Sequence, residues 1–290
     1  MKHKGIALLQ VLLITAIISI LALYLSSTAR EQVKLAQLAT ERAEAMLAIK
    51  TAQSRILLAL LTELREPNAN STGEISAKWN FYNEAFLLEN DVIARMQDQS
   101  GLIGIGFPDP KLIYDVLEQN GADATLAPVI TDSLLDWLDA DRLTRLNGAE
   151  QDSYVRGPRN GNISLLQEVS RVRGITPELW RLLGPSFTLY QRGPFNPMSA
   201  PPSILSGLIG QDRAAEYLAQ RENSMITANS FSAMTGLQES VEQIFYPGNV
   251  MQISLSVRRG GVLISKNMML ELDPYVGGNQ SPVDVLEVQW

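Results

Sequence analysis

The chain has 290 residues with 24 lysines and arginines, 31 aspartates and glutamates, one histidine and no cysteine, which gives a formal charge of −7. Its composition is that of a folded protein, and the lack of cysteine excludes disulfides, thiolate metal sites and cysteine nucleophiles. The single histidine is His3, so a serine–histidine–aspartate triad or a histidine metal site in the body of the protein is excluded as well. The acidic balance argues against nucleic-acid binding, which requires a basic surface.

An apolar segment near the amino terminus predicts a membrane span. Residues 6–24 carry no charge and would form a helix of about 28 Å, close to the thickness of the hydrocarbon layer of a bilayer. Lys2 and Lys4 precede the segment, which predicts a cytoplasmic amino terminus and an exported body. A cleaved secretory signal is one alternative, because Ser-Thr-Ala at 27–29 resembles a cleavage site, and a plain uncleaved anchor is another.

The sequence beyond residue 24 predicts that the same helix continues. No Gly or Pro occurs from residue 6 to residue 66, and helix-favouring residues dominate. The following apolar residues recur at spacings of four and three: Ala45, Ile49, Ala52, Ile56 and Ala59. This is the pattern of one buried stripe, so we expect an amphipathic half-helix over 25–66 that ends before Pro67.

A short basic leader ending in Gly5, an apolar half-helix and an amphipathic half-helix together resemble the type IV pilin and pseudopilin family. In that family a prepilin peptidase cuts after the leader glycine and methylates the new amino terminus, which implies cleavage between Gly5 and Ile6. Members usually begin with Phe and carry Glu at the fifth mature position, where this chain has Ile6 and Gln10. A neutral amide avoids the cost of an unpaired buried carboxylate, so Gln10 fits a filament-tip subunit with nothing stacked above it. Its tolerance in an ordinary anchor is the alternative interpretation.

The remainder of the sequence predicts an α+β fold. Strands are expected over 77–86, 91–96, 251–258, 262–264 and 283–290, and helical segments over 111–120, 131–140, 165–173, 177–183, 202–209 and 212–221. Strands therefore precede and follow a helical block. The simplest architecture is a pilin-like long N-terminal helix packed on a small antiparallel sheet, with a large all-α domain inserted between its strands.

This architecture divides the chain into six expected regions. They are a leader (1–5), a transmembrane half-helix (6–24), an amphipathic half-helix (25–66), the first part of the sheet domain (67–109), the inserted helical domain (110–241) and the C-terminal strands (242–290). Within the insert, Gly174 and Gly210 each lie between two short helices, as in helix-hairpin-helix units. Because the chain is acidic, we interpret these hairpins as packing units rather than phosphate-binding ones.

Carboxylates are concentrated in residues 132–152, and only two arginines lie among them. The carboxylates are Asp132, Asp136, Asp139, Asp141, Glu150 and Asp152. A hard cation such as calcium would relieve their mutual repulsion. The segment fails as an EF-hand loop beginning at Asp139, because Leu143 and Thr144 occupy its fifth and sixth positions. A solvated acidic helix end and a glycosidase-type carboxylate pair are the alternatives.

The same segment resembles the signature of the K-type minor pseudopilins of type II secretion systems. It reads Asp-Trp-Leu-Asp-Ala-Asp at 136–141, followed by Gly-Ala-Glu at 148–150 and by Tyr154. The resemblance implies calcium in the insertion and a tip complex with the I- and J-type minor pseudopilins. Carried to this chain, it implies Asp139, Asp141, Glu150 and Asp152 as ligands, with Asp136 holding the helix end.

These observations together predict a structural, non-enzymatic protein. We expect a single-pass protein of the bacterial inner membrane with its bulk in the periplasm, which moves to the pseudopilus tip on assembly. The expected partners are the I- and J-type minor pseudopilins, other pseudopilins and the prepilin peptidase, with no nucleic acid and no organic cofactor. A signal-anchored periplasmic scaffold unrelated to pili is the alternative, and a hydrolase with a carboxylate pair is a third hypothesis.

Overall fold

The computed structural model describes residues 4–65, 72–223, 226–278 and 280–290. The helices are α1 (Lys4–Thr62), α2 (Pro110–Gln119), α3 (Leu126–Leu138), α4 (Pro177–Leu183), α5 (Pro202–Ile209), α6 (Gln211–Asn223) and α7 (Ala228–Thr235). The strands are β1 (Phe86–Leu87), β2 (Ile93–Asp98), β3 (Ile103–Gly104), β4 (Phe187–Thr188), β5 (Val250–Arg259), β6 (Val262–Leu272) and β7 (Val283–Gln289). Short 3-10 helices include Gln151–Ser153 and Leu166–Arg171.

Helix α1 has two halves with opposite surroundings. It contains the one helix segment, among the described residues, that is long and apolar enough to cross a membrane, with a mean hydropathy of 2.8 in a window of which no residue is buried. The second half buries a stripe of mostly small side chains against the sheet, among them Ala45, Ile49, Ala52 and Ile56. Alanines in this stripe let the helix approach the sheet closely. The helix ends at Thr62, while the predicted end at residue 66 lies outside the described residues.

The main sheet has the strand order β1-β2-β5-β6-β7, and every neighbouring pair in it is antiparallel. Strands β2 and β5 are neighbours although residues 99–249 separate them in sequence, and Asp98 at the end of β2 pairs with Met251. The chain therefore leaves the sheet and returns to it at adjacent points. This is the topology of an insertion between two paired strands.

The C-terminal strands form the regular part of this sheet. Gly260, with a φ of 51°, and Gly261 turn β5 into β6, as the sequence predicts. Strand β6 is longer than the predicted 262–264 and continues to Leu272, with Met268, Met269 and Leu270 all buried. Strand β7 is the outer strand and carries a register shift opposite Met269 and Leu270.

The strand predicted over 77–86 is wrong. Residues 73–79 instead form a turn in which the Ala77 N–H donates to the Gly73 carbonyl at 3.0 Å and the Trp79 N–H donates to the Ile75 carbonyl at 2.9 Å. Trp79 and Phe81 are buried in the core beneath the sheet. Their bulk serves packing between elements, which an aromatic residue can supply without an extended backbone. The strand expected over 91–96 is β2, displaced by two residues.

The helical segments of the insert surround a core of their own. This core extends from Leu102 to Phe245 and is distinct from the core between α1 and the sheet. The predicted helices over 177–183 and 202–209 are α4 and α5 with the predicted bounds. Those over 111–120, 131–140 and 212–221 are α2, α3 and α6 with shifted ends, and 165–173 contains a 3-10 helix. Gly174 has a φ of +90°, and a Cβ there would lie 2.7 Å from Ile130, so this hairpin is packed on α3.

The buried Asp98 side chain connects the sheet to the inserted helical domain at the point where the chain passes between them. Its carboxylate accepts hydrogen bonds from the Ser100 N–H (3.0 Å) and hydroxyl (2.6 Å) where the chain leaves the sheet. It also accepts from the Asn196 amide (3.0 Å) and from the Gly248 N–H (3.2 Å) where the chain returns. One carboxylate therefore binds both the segment that leaves the sheet and the segment that returns to it. The predicted α+β class, a long helix on an antiparallel sheet with an inserted helical domain, is confirmed.

Candidate metal centre

Helix α3 positions the first carboxylates of the candidate site. Its apolar residues are buried in the insert core, and the helix ends at Leu138 with Asp139 as its C-cap residue. Asp132, Asp136 and Asp139 follow one another at spacings of four and three, so they lie along one side of the helix end. Asp136 is completely buried, and Trp137 beside it packs edge-on against Tyr154 with ring centroids 5.0 Å apart.

The loop that follows α3 turns back over this helix and is fixed at two points. The Asp132 carboxylate accepts hydrogen bonds from the backbone N–H and the side-chain amide of Asn147, both at 3.0 Å. The Asp136 carboxylate accepts from the Arg145 backbone N–H at 3.2 Å and from its guanidinium at 2.6 Å. The same guanidinium nitrogen also pairs with Asp139. The loop is thus held by the acidic side chains that its sequence places below it.

A glycine allows the loop to lie this close to the helix. A Cβ on Gly148 would lie 1.9 Å from Asp136 Oδ2 and 2.8 Å from its Cγ. Residue 148 must therefore lack a side chain if the loop is to keep this path. The close approach also brings Glu150, two residues further on, to the end of α3.

Three of the five predicted site residues come together there. Asp139, Asp141 and Glu150 each offer an oxygen, and these atoms lie within 4.8 Å of one another. Glu150 is only 7% exposed and its Oε1 has no hydrogen-bond partner; Asp139 Oδ1 is likewise buried and unpaired. Burial raises the pKa of the Glu150 carboxyl, and the charges of Asp136 and Asp139 raise it further. Two unpaired buried oxygens in one cluster are costly unless a further group binds them.

The other two predicted residues lie outside this cluster. Asp136 is bound by Arg145 on the buried side of the loop, which agrees with a role in holding the helix end. Asp152 lies in the 3-10 helix Gln151–Ser153 and is exposed to solvent. The geometry therefore favours a three-carboxylate set over the larger set that the sequence suggested.

Asn160 is a component of the site that sequence reasoning missed. Its side-chain amide donates to the Asp141 carbonyl and, at 3.5 Å, to Glu150 Oε2. It has a φ of +49°, and the Asn-Gly pair at 160–161 is a turn signal that could have marked it. Asn160 joins the next segment of the chain to the cluster and closes it from that side.

The donor set fits a hard divalent cation. Calcium takes six to eight oxygen ligands, and flexible carboxylates at about this separation can converge on it. The cluster supplies carboxylate oxygens, two of them without partners. Ligands for a softer metal are missing from the insert, because the sequence has no cysteine and its single histidine is His3. Bound there, the cation would neutralise the mutual repulsion of the three carboxylates.

The predicted processing residues lie at the start of α1. Gly5 and Ile6 are in its first turn, and Gln10 is exposed on the apolar half-helix. Around them, large apolar side chains such as Leu9 (68% exposed) and Leu13 (59% exposed) have no cover. The structure thus presents an uncovered apolar helix whose surroundings must come from a membrane or from other apolar helices.

Comparison with known proteins finds similarity to one family. The family model described as "Type II secretion system (T2SS), protein K" matches residues 108–192, which include the whole carboxylate cluster. Type II secretion system protein K of Dickeya chrysanthemi is 35% identical over 131 residues, covering 41% of this chain and 37% of that protein. The protein of the same name from Klebsiella pneumoniae is 30% identical over 212 residues, covering 66% of this chain and 61% of that protein. Over these residues the chain is similar to type II secretion system protein K.

The chain spans less than two thirds of the length of these two relatives. A solved structure shares its fold over a larger part. It is the GspK–GspI–GspJ complex from the type 2 secretion system of enterotoxigenic Escherichia coli, with a TM-score of 0.55 and 16% identity, covering 87% of this chain and 98% of that chain. At this identity the likeness establishes the shared fold alone.

Proposed function

We propose that this protein is a minor pseudopilin at the tip of a type II secretion pseudopilus, where it helps to initiate assembly for protein export. The observation that carries the proposal is the combination of an uncovered apolar half-helix with a bulky insertion between two paired strands. The similarity to protein K and the GspI and GspJ partners of the structural relative support it. Its role is structural, without an enzymatic reaction.

In this proposal the apolar half of α1 anchors the protein in the inner membrane, with the bulk of the chain in the periplasm. Extraction into the pseudopilus exchanges lipid contacts for contacts with the apolar helices of other subunits. Prepilin peptidase cleaves between Gly5 and Ile6, and Gln10 is a neutral group at a position with no subunit above it. Mass spectrometry of protein from its own membranes should find an N-methylated Ile6 at the mature terminus. A terminus at Arg30 would indicate a discarded signal and an intact Met1 a plain anchor, and either result would refute the proposal.

The insert acts as the cap. Its separate helical core lies beside the pilin-like part and occupies the space that a further subunit would need, so growth continues only below it. Deleting residues 110–240 should abolish the exclusive tip position in assembled pseudopili, as seen by immunogold labelling. Co-purification with the I- and J-type minor pseudopilins is the control that the remaining part is folded. A deleted protein that folds and still labels only tips would contradict the capping role.

The carboxylate cluster supports a calcium site. Asp139, Asp141 and Glu150 would hold the ion, and its charge would stabilise the loop over α3 without any reaction. Calcium at about one hundred times its dissociation constant should stabilise the folded protein by about 2.7 kcal/mol, which corresponds to a rise in melting temperature of about 5–10 °C. The rise is measured by calorimetry against a sample containing EDTA.

Two matched variants test the ligand set. Glu150→Gln should abolish most of the calcium-dependent rise in melting temperature, because it removes a charged ligand whose Oε1 is unpaired. Asp152→Asn, an exposed carboxylate of the same segment, should retain the rise. An absence of any calcium effect in the unaltered protein would refute the site, and an equal loss in both variants would refute this ligand set.

A further inference from the structure

On the outer strand β7, the face of the main sheet that packs against α1 elsewhere is not covered by the helix. Val285 pairs with Leu270 and Val288 pairs with Met268, and both partners are buried on the face that packs against α1. Paired residues on antiparallel strands project to the same face, so Val285 and Val288 belong to that core face. They are nevertheless 60% and 42% exposed, because α1 packs on β5 and β6 and β7 extends beyond it.

One side of α1 lies next to this uncovered face, since Gln53 on the helix and Trp290 after β7 both contact Lys266 on β6. The helix contributes Arg42, Met46, Lys50, Gln53 and Leu57, which recur at spacings of four, four, three and four. At the Arg42 end of this surface lies a cavity of about 390 Å³, lined by residues that include Arg42 and Met46 on the helix, Ile264 on β6 and Trp290 after β7. We call this feature the β7 groove.

The β7 groove is positively charged in a protein whose net charge is −7. Lys266 projects into it from β6 and is only 8% exposed. Its ammonium donates to Gln53 Oε1 at 2.6 Å and lies 4.5 Å from the centroid of the Trp290 ring. Within the described residues none of Arg42, Lys50 and Lys266 forms an ion pair.

The Lys266 ammonium has neutral partners, Gln53 and the Trp290 ring, and no carboxylate in the described part of the chain forms an ion pair with it. Burial lowers the pKa of Lys266, and the nearby charge of Lys50 lowers it further. A buried charge normally has a partner of opposite sign, since desolvation without one is costly. A carboxylate supplied from outside would satisfy Lys266, Lys50 and Arg42 along one side of the groove.

We propose that the β7 groove binds an amphipathic helix of another subunit, with its apolar face on Val285 and Val288 and carboxylates along the edge that faces α1. This inference rests on the proposed function, because a pilin-like subunit carries a long helix of this kind. Residues 283–290 extend about 25 Å as a strand, which equals about 17 residues of helix. Such a helix would lie beside α1 and cover β7 as α1 covers β5 and β6.

Site-specific photo-crosslinking of the full-length protein in its own membranes tests this occupant. A benzoylphenylalanine at position 285 should crosslink to a carboxylate-bearing helical segment of a pilin-like subunit, identified by mass spectrometry of the digested product. The matched control is position 284 on the same strand, because Asp284 is exposed on the opposite face of the sheet. Crosslinks from position 285 only to strand segments, to this chain or to lipid would overturn the inference.

Charge reversal on α1 tests whether the bound helix presents carboxylates to the β7 groove. Lys50→Glu should reduce the crosslink yield from position 285 about tenfold, since it replaces an attraction by a repulsion. Arg258→Glu, an exposed position on the outer face, should leave the yield unchanged. If both variants crosslink like the unaltered protein, the predicted charge pairing is wrong.

Co-purification separates this inference from the proposed function. If pilin-like subunits co-purify with the protein and its terminus is N-methylated, but position 285 gives no helical crosslink, only the groove assignment fails. If no pilin-like subunit co-purifies with it, the proposed function fails, and the occupant of the groove fails with it.

Discussion

Replacement of Gly148 by alanine should destabilise the insert and displace the carboxylate cluster. The added Cβ would lie 1.9 Å from Asp136 Oδ2, so one of the two must move by roughly 1.5 Å to reach ordinary van der Waals separation. Asp136 cannot yield easily, because it is fully buried and the Arg145 guanidinium holds it at 2.6 Å. The loop must therefore move instead, and Glu150 moves with it.

The expected cost follows from this geometry. Overpacking of a close contact costs about 1–3 kcal/mol, and the pinned carboxylate places Gly148→Ala in the upper half, at about 2–3 kcal/mol. That corresponds to a fall in melting temperature of about 5–10 °C for a domain of this size. Near-UV circular dichroism on heating measures it, because Trp137 packs against Tyr154 next to the loop.

Gly106→Ala is the matched control. A Cβ on Gly106 meets nothing within 4 Å, so its melting temperature should stay the same or rise slightly. Both variants are measured in EDTA, so that any bound calcium does not contribute. Equal melting temperatures for the two variants would show that the loop does not lie on Asp136 as described.

Three further substitutions test the contacts that hold the elements of the fold together. Asp98→Ala should lower the free energy of unfolding by about 3 kcal/mol, measured in urea, because it leaves buried N–H donors at both chain crossings unpaired. Arg221→Gln should lower it by about 1 kcal/mol in the same assay, because the guanidinium lies 3.9 Å above the centre of the Tyr82 ring. Ile56→Ala should lower it by about 3 kcal/mol in thermal unfolding, because Ile56 is completely buried between α1 and the sheet.

Exposed residues of the same or a similar type serve as controls for these three substitutions. Asp284→Ala, Arg213→Gln and Leu58→Ala should each change the free energy of unfolding by less than about 0.5 kcal/mol. If a substitution and its exposed control lower the free energy of unfolding equally, the packing described for that contact is contradicted.

The parts of the fold that the sequence predicts correctly are those with long periodic patterns. The uninterrupted segment over 6–66 and the stripe through Ile49 and Ile56 predict α1, and the alternation over 251–258 predicts β5. Strands β3 and β4 could not be predicted, because each has two residues and they pair across residues 105–186. The error over 77–86 arises because Trp79 and Phe81 are buried between elements, which a β-propensity pattern does not distinguish from a strand.

The candidate site was predicted in part for a related reason. Clustering of acidic residues in sequence located the segment, and Asp139, Asp141 and Glu150 do come together. Their selection depends on the path of the loop, which sequence spacing does not fix. Arg145 binds Asp136 and excludes it, while Asp152 points to solvent from a separate turn. Tertiary packing therefore decides which of the acidic residues join the cluster.

The proposed cap requires that the insert be coupled rigidly to α1, and the structure supplies that coupling. Asp98 binds both chain crossings, and the Gln97 side-chain amide donates to the Ser199 carbonyl at 2.9 Å within the buried junction. Arg65, just after α1, donates to the Gly248 carbonyl at 2.9 Å next to the same junction. A domain on a flexible tether could swing aside and admit another subunit above it. A domain fixed through buried polar groups to the end of the long helix is held in place, so this junction supplies the rigidity that the proposed cap requires.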